Sequence, residues 1–150
     1  MKVYLDCCCY CRQFDDLTQE RVKAEVDAIF IIFDLHWQRG MLLVGSSLLE
    51  IEIGKINDCE KKSKILKCYQ SVDEIVRFSD SIDLRSLQIQ EQSNIHAYDS
   101  IHIACAEEAG ADVMLTTDDR LIKMASRLDL KVKVMNPRDF IDEYMNGGDF

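Results

Sequence analysis

An α/β protein built around a parallel sheet is what this sequence predicts, and three observations lead there. Short β-prone runs stand at Val3-Tyr4-Leu5, Met41 to Val44, Val113-Met114-Leu115 and Val132-Lys133-Val134. Between them lie amphipathic stretches long enough for helices, the alternation that βαβ units require. Finally, 6 Gly and 1 Pro in 150 residues leave little chain for long loops, so the elements must follow one another closely.

Val3-Tyr4-Leu5 reads as a buried strand ending in Asp6, and the stretch from there to Asp16, which has no helical period, reads as a loop. From Thr18 to Gln38 the apolar residues Val22, Val26, Ile29, Phe30, Phe33 and Trp37 recur at helical spacing, while Lys23, Glu25, Asp27 and Asp34 fill the other face. This predicts a long amphipathic helix, with Thr18 as N-cap and Gly40 as C-cap residue. Met41 to Val44 is the second strand, and Gly45-Ser46-Ser47 a turn whose hydroxyls suit a helix cap. Leu48, Leu49, Ile51, Ile53 and Ile56 belong to the next helix, and Lys61 to Gln70 forms another with a basic face. Val72 to Phe78 fits either a helix or a strand. Ser81 to Gln92 reads as helix from Ile82, Leu84, Leu87 and Ile89. In Ala97 to Ala109 the residues Ile101, Ala104 and Cys105 share a helix face that Gly110 stops. Val113-Met114-Leu115 is a strand, Asp118 to Leu128 a helix and Val132-Lys133-Val134 a strand; Asn136-Pro137 then opens the last helix as N-cap and first residue.

The length is that of one domain, expected to span residues 1–145 with 146–150 as a flexible C-terminal tail. A content of 47% hydrophobic and 30% charged residues excludes a disordered chain. Ala28 to Phe33 is an apolar run broken at Asp34, far short of the roughly 20 residues a bilayer span needs, so no membrane association is expected. Val3-Tyr4-Leu5 is likewise shorter than a secretory apolar region. The seven cysteines are odd in number and four crowd into Cys7, Cys8, Cys9 and Cys11, where neighbours cannot bridge without strain. Reduced thiols and a cytoplasmic location are therefore expected. Cys8 and Cys11 have zinc-site spacing, but Cys59 and Cys68 do not supply a matching second pair. With 27 acidic against 18 basic residues the net charge is -9, which excludes a nonspecific phosphate-backbone binder.

Ligands of parallel sheets sit outside the carboxyl ends of the strands, and the residues standing there in this chain are carboxylates. Asp6 follows the first strand, Glu50 and Glu52 lie in the helix after the second, and Asp118 closes the run Leu115-Thr116-Thr117-Asp118. Asp99 begins the helix that feeds that later strand. Each taken singly has a plain explanation: Asp99 and Asp118 stand at helix N-termini, where the dipole favours an acid. That explanation leaves Asp6 without a reason. Together these acids would converge at one rim of the sheet, repel one another and need a cation, and oxygen ligands suit Mg²⁺ or Mn²⁺.

Val3-Tyr4-Leu5-Asp6, Ser46-Ser47-Leu48-Leu49-Glu50-Ile51-Glu52, Tyr98-Asp99-Ser100-Ile101-His102-Ile103-Ala104 and Leu115-Thr116-Thr117-Asp118-Asp119-Arg120-Leu121 carry a family resemblance. With Gly110-Ala111-Asp112 between the last two, they resemble the motifs of the PIN domain, a small metal-dependent nuclease fold, over Lys2 to about Phe140. The resemblance implies a three-layer α/β/α sandwich with a central, mainly parallel, Rossmann-like sheet. It also implies that Asp6, one glutamate of the second segment, Asp99 and Asp118 are the catalytic, metal-holding acids. Glu52 stands at the family's spacing from Ser46, whereas Glu50 has the better match in the residues after it. The two lie about 200° apart on a helix, so only one can face the site; Glu52 is favoured and Glu50 is the alternative. Thr116 matches the family's hydroxyl residue near the fourth acid and would support that loop or a coordinating water. After Asp6 the family usually has Thr, Ser or Asn, and this chain has Cys7.

The function so implied is hydrolysis of single-stranded RNA assisted by Mg²⁺ or Mn²⁺, which would lower the pKa of a bound water and stabilise charge on the leaving oxygen. Many PIN-like proteins are ribonuclease toxins of prokaryotic toxin-antitoxin pairs, so an antitoxin partner and a homodimer are expected. Lys55, Lys61, Lys62, Lys64 and Lys67, with Arg120 and Lys123, could steer the strand or simply form solvated faces. Arg12, beside the first strand end, is a further candidate phosphate contact. His36, His96 and His102 are not expected as general bases. His102, three residues beyond Asp99, could approach the pocket, though a packed or capping role suits it better. A phosphoryl-accepting signalling domain would need paired acids after the first strand and a lysine after a late one; here Cys7 follows Asp6 and no lysine directly follows Leu115. A PIN-like scaffold that only binds a partner is the other alternative, and the presence of all four acids counts against it.

Overall fold

Val3, Tyr4 and Leu5 are completely buried, as expected for a strand covered on both faces. In the computed structural model, which describes residues 1–148 and 150, this strand, β1 (Lys2–Leu5), is the middle of a five-stranded sheet. β2 (Leu42–Ser46) and β4 (Val113–Leu115) flank it, with Val3 opposite both Leu43 and Val113. β3 (Glu74–Val76) and β5 (Lys133–Met135) form the edges, and all pairings are parallel, in the order β3-β2-β1-β4-β5. The undecided stretch Val72 to Phe78 is thus an edge strand. Asp73 starts it by bonding Leu43 through both its backbone N–H and its carboxylate.

The helices are α1 (Cys7–Cys11), α2 (Glu20–Trp37), α3 (Ser47–Gly54), α4 (Cys59–Tyr69), α5 (Asp80–Gln92), α6 (Ala97–Glu108), α7 (Asp119–Ala125) and α8 (Pro137–Met145). Right-handed crossovers put α2, between β1 and β2, on one face and the α5–α6 pair, which returns from β3 to β4, on the other. α8 packs on α2, so the sheet is sandwiched between helical layers, the α/β/α architecture expected. Among the described residues no helix is long and apolar enough to cross a membrane.

Four local expectations are corrected. The stretch after Asp6 is helical rather than a loop: α1 and a 3-10 turn at Arg12–Phe14 follow at once, because the Asp6 carboxylate caps Cys7 N–H at 2.6 Å and Cys9 and Tyr10 are buried. Thr18 does not cap α2; it bonds Asp16, and Gln19 takes the N-cap position. Nor does Gly40 supply the left-handed residue after α2, which is Arg39 at φ 60°. The buried side of α2 is also rotated relative to the periodicity, with Phe30 and Trp37 exposed while Ala28, Ile32 and Glu25 face inward. Of the segment expected as a tail, Asp149 lies outside the described residues, and the Phe150 ring packs 5.1 Å from that of Phe140.

Candidate metal centre

Strand order reverses direction at β1, so a crevice opens beyond the C-terminal ends of β1 and β4. Asp6 enters it from β1. Its backbone N–H continues the ladder to Leu115 O at 2.9 Å, and the residue is only 7% exposed. One carboxylate oxygen caps α1; the other accepts from Thr116 Oγ1 at 2.9 Å and from the Cys8 thiol at 3.3 Å. Thr116 stands just past β4 and also accepts Asp118 N–H at 3.2 Å, so one buried hydroxyl ties the first strand end to the loop carrying Asp118.

Glu52 arrives from α3. Ser46, buried at the end of β2, caps that helix by accepting Leu49 N–H, and Leu48, Leu49 and Ile53 turn inward. This rotation sends the two candidate glutamates apart. Glu52 Oε1 meets Nε2 of His102, whereas Glu50 pairs with Arg77 at 2.6 Å. His102 comes from α6, is 1% exposed, and has its Nε2 3.5 Å from Asp6 Oδ1 and its Nδ1 2.7 Å from the Tyr4 hydroxyl.

The donor atoms of Asp6, Glu52 and His102 lie within 4.8 Å of one another, the only group of three or more such ligands among the described residues. Two carboxylates and an imidazole could hold a divalent cation. Asp99, in the first turn of α6, stands outside this trio but within reach of its field. Burial and then the charge of Asp6 push the Asp99 carboxyl above its usual range; His102 pulls it back and Asp118 adds to the rise. Burial alone would lower the His102 imidazole, but its hydrogen bond to Glu52 and the charges of Asp6, Glu52 and Asp99 hold it above its ordinary value. Negative charge is thus crowded in this crevice, and a cation would relieve it. Asp118 uses Oδ1 to cap α7, accepting Arg120 N–H at 2.9 Å and Leu121 N–H at 3.2 Å.

The basic residues divide between carboxylate or carbonyl partners and aromatic neighbours. Arg12 turns its guanidinium to Glu25, at 2.6 Å, and Asp15, at 3.1 Å, so it is engaged by carboxylates on two sides rather than offered to a phosphate. Lys62 donates to Gly54 O and Lys64 pairs with Glu60. Lys55, one turn beyond Glu52, reaches Tyr98, the residue before Asp99, with Nζ 3.4 Å from its hydroxyl and 5.6 Å from the ring centre. Lys61 sits 5.5 Å over the ring of Phe14. His102, which the sequence allows near the pocket but favours as a packed or capping residue, meets Glu52 in the site, and its support by Tyr4 and Ser46 is the part that sequence reasoning missed. The available signal for His102 was its position one helical turn beyond Asp99.

A family model of the PIN domain matches residues 45–127. No curated protein matches the chain. Among solved structures, the VapBC2 complex from Rickettsia felis, bound to a DNA fragment from the promoter, contains a chain of the same fold, with 18% identity, a TM-score of 0.62 and coverage of 91% of this chain and 98% of that one. DNA-bound VapBC from Salmonella typhimurium gives 16% identity and 0.60 at the same coverage. VapBC-1 from nontypeable Haemophilus influenzae gives 15% and 0.57, again at that coverage. At such identities the likeness is one of fold. The family match covers more than half of the chain and takes in Glu52, Asp99, His102 and Asp118, and with the sheet order and its acidic crevice it establishes that the chain belongs to the PIN-domain family.

Proposed function

We propose that the protein is a divalent-metal-dependent endoribonuclease acting on single-stranded RNA, and the toxin of a toxin-antitoxin pair. The observation that carries this reading is the meeting of Asp6, Glu52 and His102 beyond β1 and β4 in a PIN-family chain, with Asp99 beside them. In this reading Asp6, Glu52, Asp99 and Asp118 hold Mg²⁺ or Mn²⁺, and Glu50 does not take part. When bound, the cation supplies a Lewis acid for the scissile phosphate and for a water nucleophile. The chain itself orients the carboxylates, Asp6 through the α1 cap and Thr116, and Glu52 through His102. Tyr98 and Lys55 flank the acids and offer a stacking face and a charge to a single strand. This answers the difficulty of a net charge of -9: the strand is held by a neutralised pocket and a few rim contacts, not by bulk charge.

The three solved structures described above are VapBC complexes, two of them with DNA, which supports an antitoxin as partner of this chain. A homodimer and a cytoplasmic location belong to the same reading. The purified protein should cleave labelled single-stranded RNA with Mg²⁺ or Mn²⁺ and lose that activity in EDTA. Asp6→Asn and Asp99→Asn should abolish it with circular dichroism unchanged. Full activity in EDTA, or in both variants, refutes the nuclease reading. Normal growth of cells expressing the active enzyme removes the toxin role alone.

A further inference from the structure

We propose that His102 is a positioning residue that fixes the Glu52 carboxylate for a cation, and that Tyr4 and Ser46 fix His102 in turn. The inference rests on the proposed metal-nuclease function. The two ring nitrogens of the buried His102 face opposite ways, Nδ1 toward the buried Tyr4 and Nε2 toward the partly exposed Glu52. An ionised carboxylate only accepts, so the contact with Glu52 Oε1 requires the proton on Nε2. On the other side the Tyr4 hydroxyl is 2.8 Å from Ser46 Oγ, and that oxygen accepts Leu49 N–H at 3.2 Å. The Tyr4 hydroxyl can donate to one of these neighbours and accept from the other.

A chain of four polar side chains thus runs through the core, from Ser46 at the end of β2, through Tyr4 of β1 and His102 of α6, to Glu52 of α3. Each of the four has a hydrogen-bond partner, and a network so connected, buried up to its Glu52 end, is rigid. Its product is a glutamate with one oxygen spoken for. Oε1 belongs to His102, while Oε2 has no hydrogen-bond partner among the described residues and is the oxygen left for an ion. The side chain is therefore ordered when the protein folds, not when the ion arrives, and the ion meets a preset donor. Metal-ligating carboxylates held by outer hydrogen bonds lose affinity when those bonds are removed. The competing role, in which Nε2 itself ligates the ion, would require His102 to surrender its proton and its bond to Glu52.

The test uses the full-length chain and Mn²⁺ alone as probe, with free Mn²⁺ measured by electron paramagnetic resonance and folding by circular dichroism. Tyr4→Phe and His102→Ala should weaken binding by about tenfold or more. His102→Gln, whose amide can donate toward Glu52, should recover most of the loss seen in His102→Ala. Pulsed resonance of Mn²⁺ on the wild type should show no directly coordinated ¹⁴N. Unchanged affinity in Tyr4→Phe and His102→Ala alike overturns the positioning role, and so does a coordinated ¹⁴N signal, which would make His102 a ligand. Should the folded wild type bind no Mn²⁺ at all, the metal reading itself falls and carries this inference with it. If His102→Ala does not fold, Tyr4→Phe and the ¹⁴N measurement decide the matter.

Discussion

Glu25→Ala should cost the protein about 3 kcal/mol. Glu25 is a carboxylate on α2 with 1% exposure, and it gathers four donors: Arg12 through two nitrogens at 2.6 Å, Arg21 Nε at 2.9 Å and Asn136 Nδ2 at 2.7 Å. Removing it leaves the largely buried Arg12 facing only Asp15, and the buried Asn136 amide without its acceptor. One-sided loss of a buried ion pair costs about 3–5 kcal/mol. The low end applies because Arg21 is half exposed and keeps Asp119 at 2.6 and 2.8 Å. For a chain of this size the loss lowers the melting temperature by roughly 6–12 °C, read by circular dichroism at pH 7. Burial raises the Glu25 carboxyl, but the hydrogen bonds from Asn136, Arg21 and Arg12 outweigh it and hold the group below its usual range. A depressed folded-state pKa gives stability that is present above the unfolded value, near about 4.3, and lost as pH falls through the folded one. The gap between wild type and variant should therefore close below about pH 4. A fall of less than about 3 °C at pH 7, or a gap that stays constant into acid, refutes the buried-pair account.

Other expectations rest on the same kind of contact. In Gly45→Ala the new Cβ would lie 2.5 Å from the Tyr69 hydroxyl, which bonds Ser46 O, so overpacking should cost about 1–3 kcal/mol; an unchanged urea midpoint would show that Tyr69 yields freely. Glu52→Gln should weaken Mn²⁺ binding at least roughly tenfold, whereas Glu50→Gln, which loses only an exposed pair with Arg77, should leave it unchanged; equal losses in calorimetric titration would contradict the rotation of α3. Tyr98→Ala should weaken binding of a labelled single-stranded oligonucleotide by the worth of one stacked base, about 1–3 kcal/mol. Lys55→Ala should lower the salt dependence of that binding by about one unit of slope. Anisotropy curves that superimpose on wild type would remove both residues from the strand's path.

How far the sequence disclosed this arrangement depends on what each element needs. Val113-Met114-Leu115 was legible to its end residues because a strand covered on both faces is an unbroken apolar run. α1 was not, since Cys7–Cys11 is too short to show a period, and what makes it helical is the Asp6 cap and the burial of Cys9 and Tyr10. Glu25 was assigned to the polar face by its charge, although it stands one turn from both Val22 and Ile29; its burial depends on Arg12 and Asn136, contacts that no local pattern encodes. The carboxylates could be picked out from their places after strands. That Glu52 turns to His102 and Glu50 to Arg77 follows from the rotation of α3, set by the Ser46 cap and by Leu48, Leu49 and Ile53. His102 hid for a similar reason: one residue type serves packing and chemistry alike, and only its neighbours tell them apart.

The central place of β1 has a consequence for biosynthesis. Its partner β4 and Thr116, which holds Asp6, come late in the sequence, Thr116 standing 110 residues after Asp6, so the crevice cannot close until that later segment has left the ribosome. At roughly 5–20 residues per second, the nascent chain carries Asp6 for several seconds as an ordinary exposed acid. A ribonuclease of the kind proposed, active while still attached to a ribosome, would endanger its own template. Here the order of the strands withholds the site until the segment carrying β4 and Thr116 has been made.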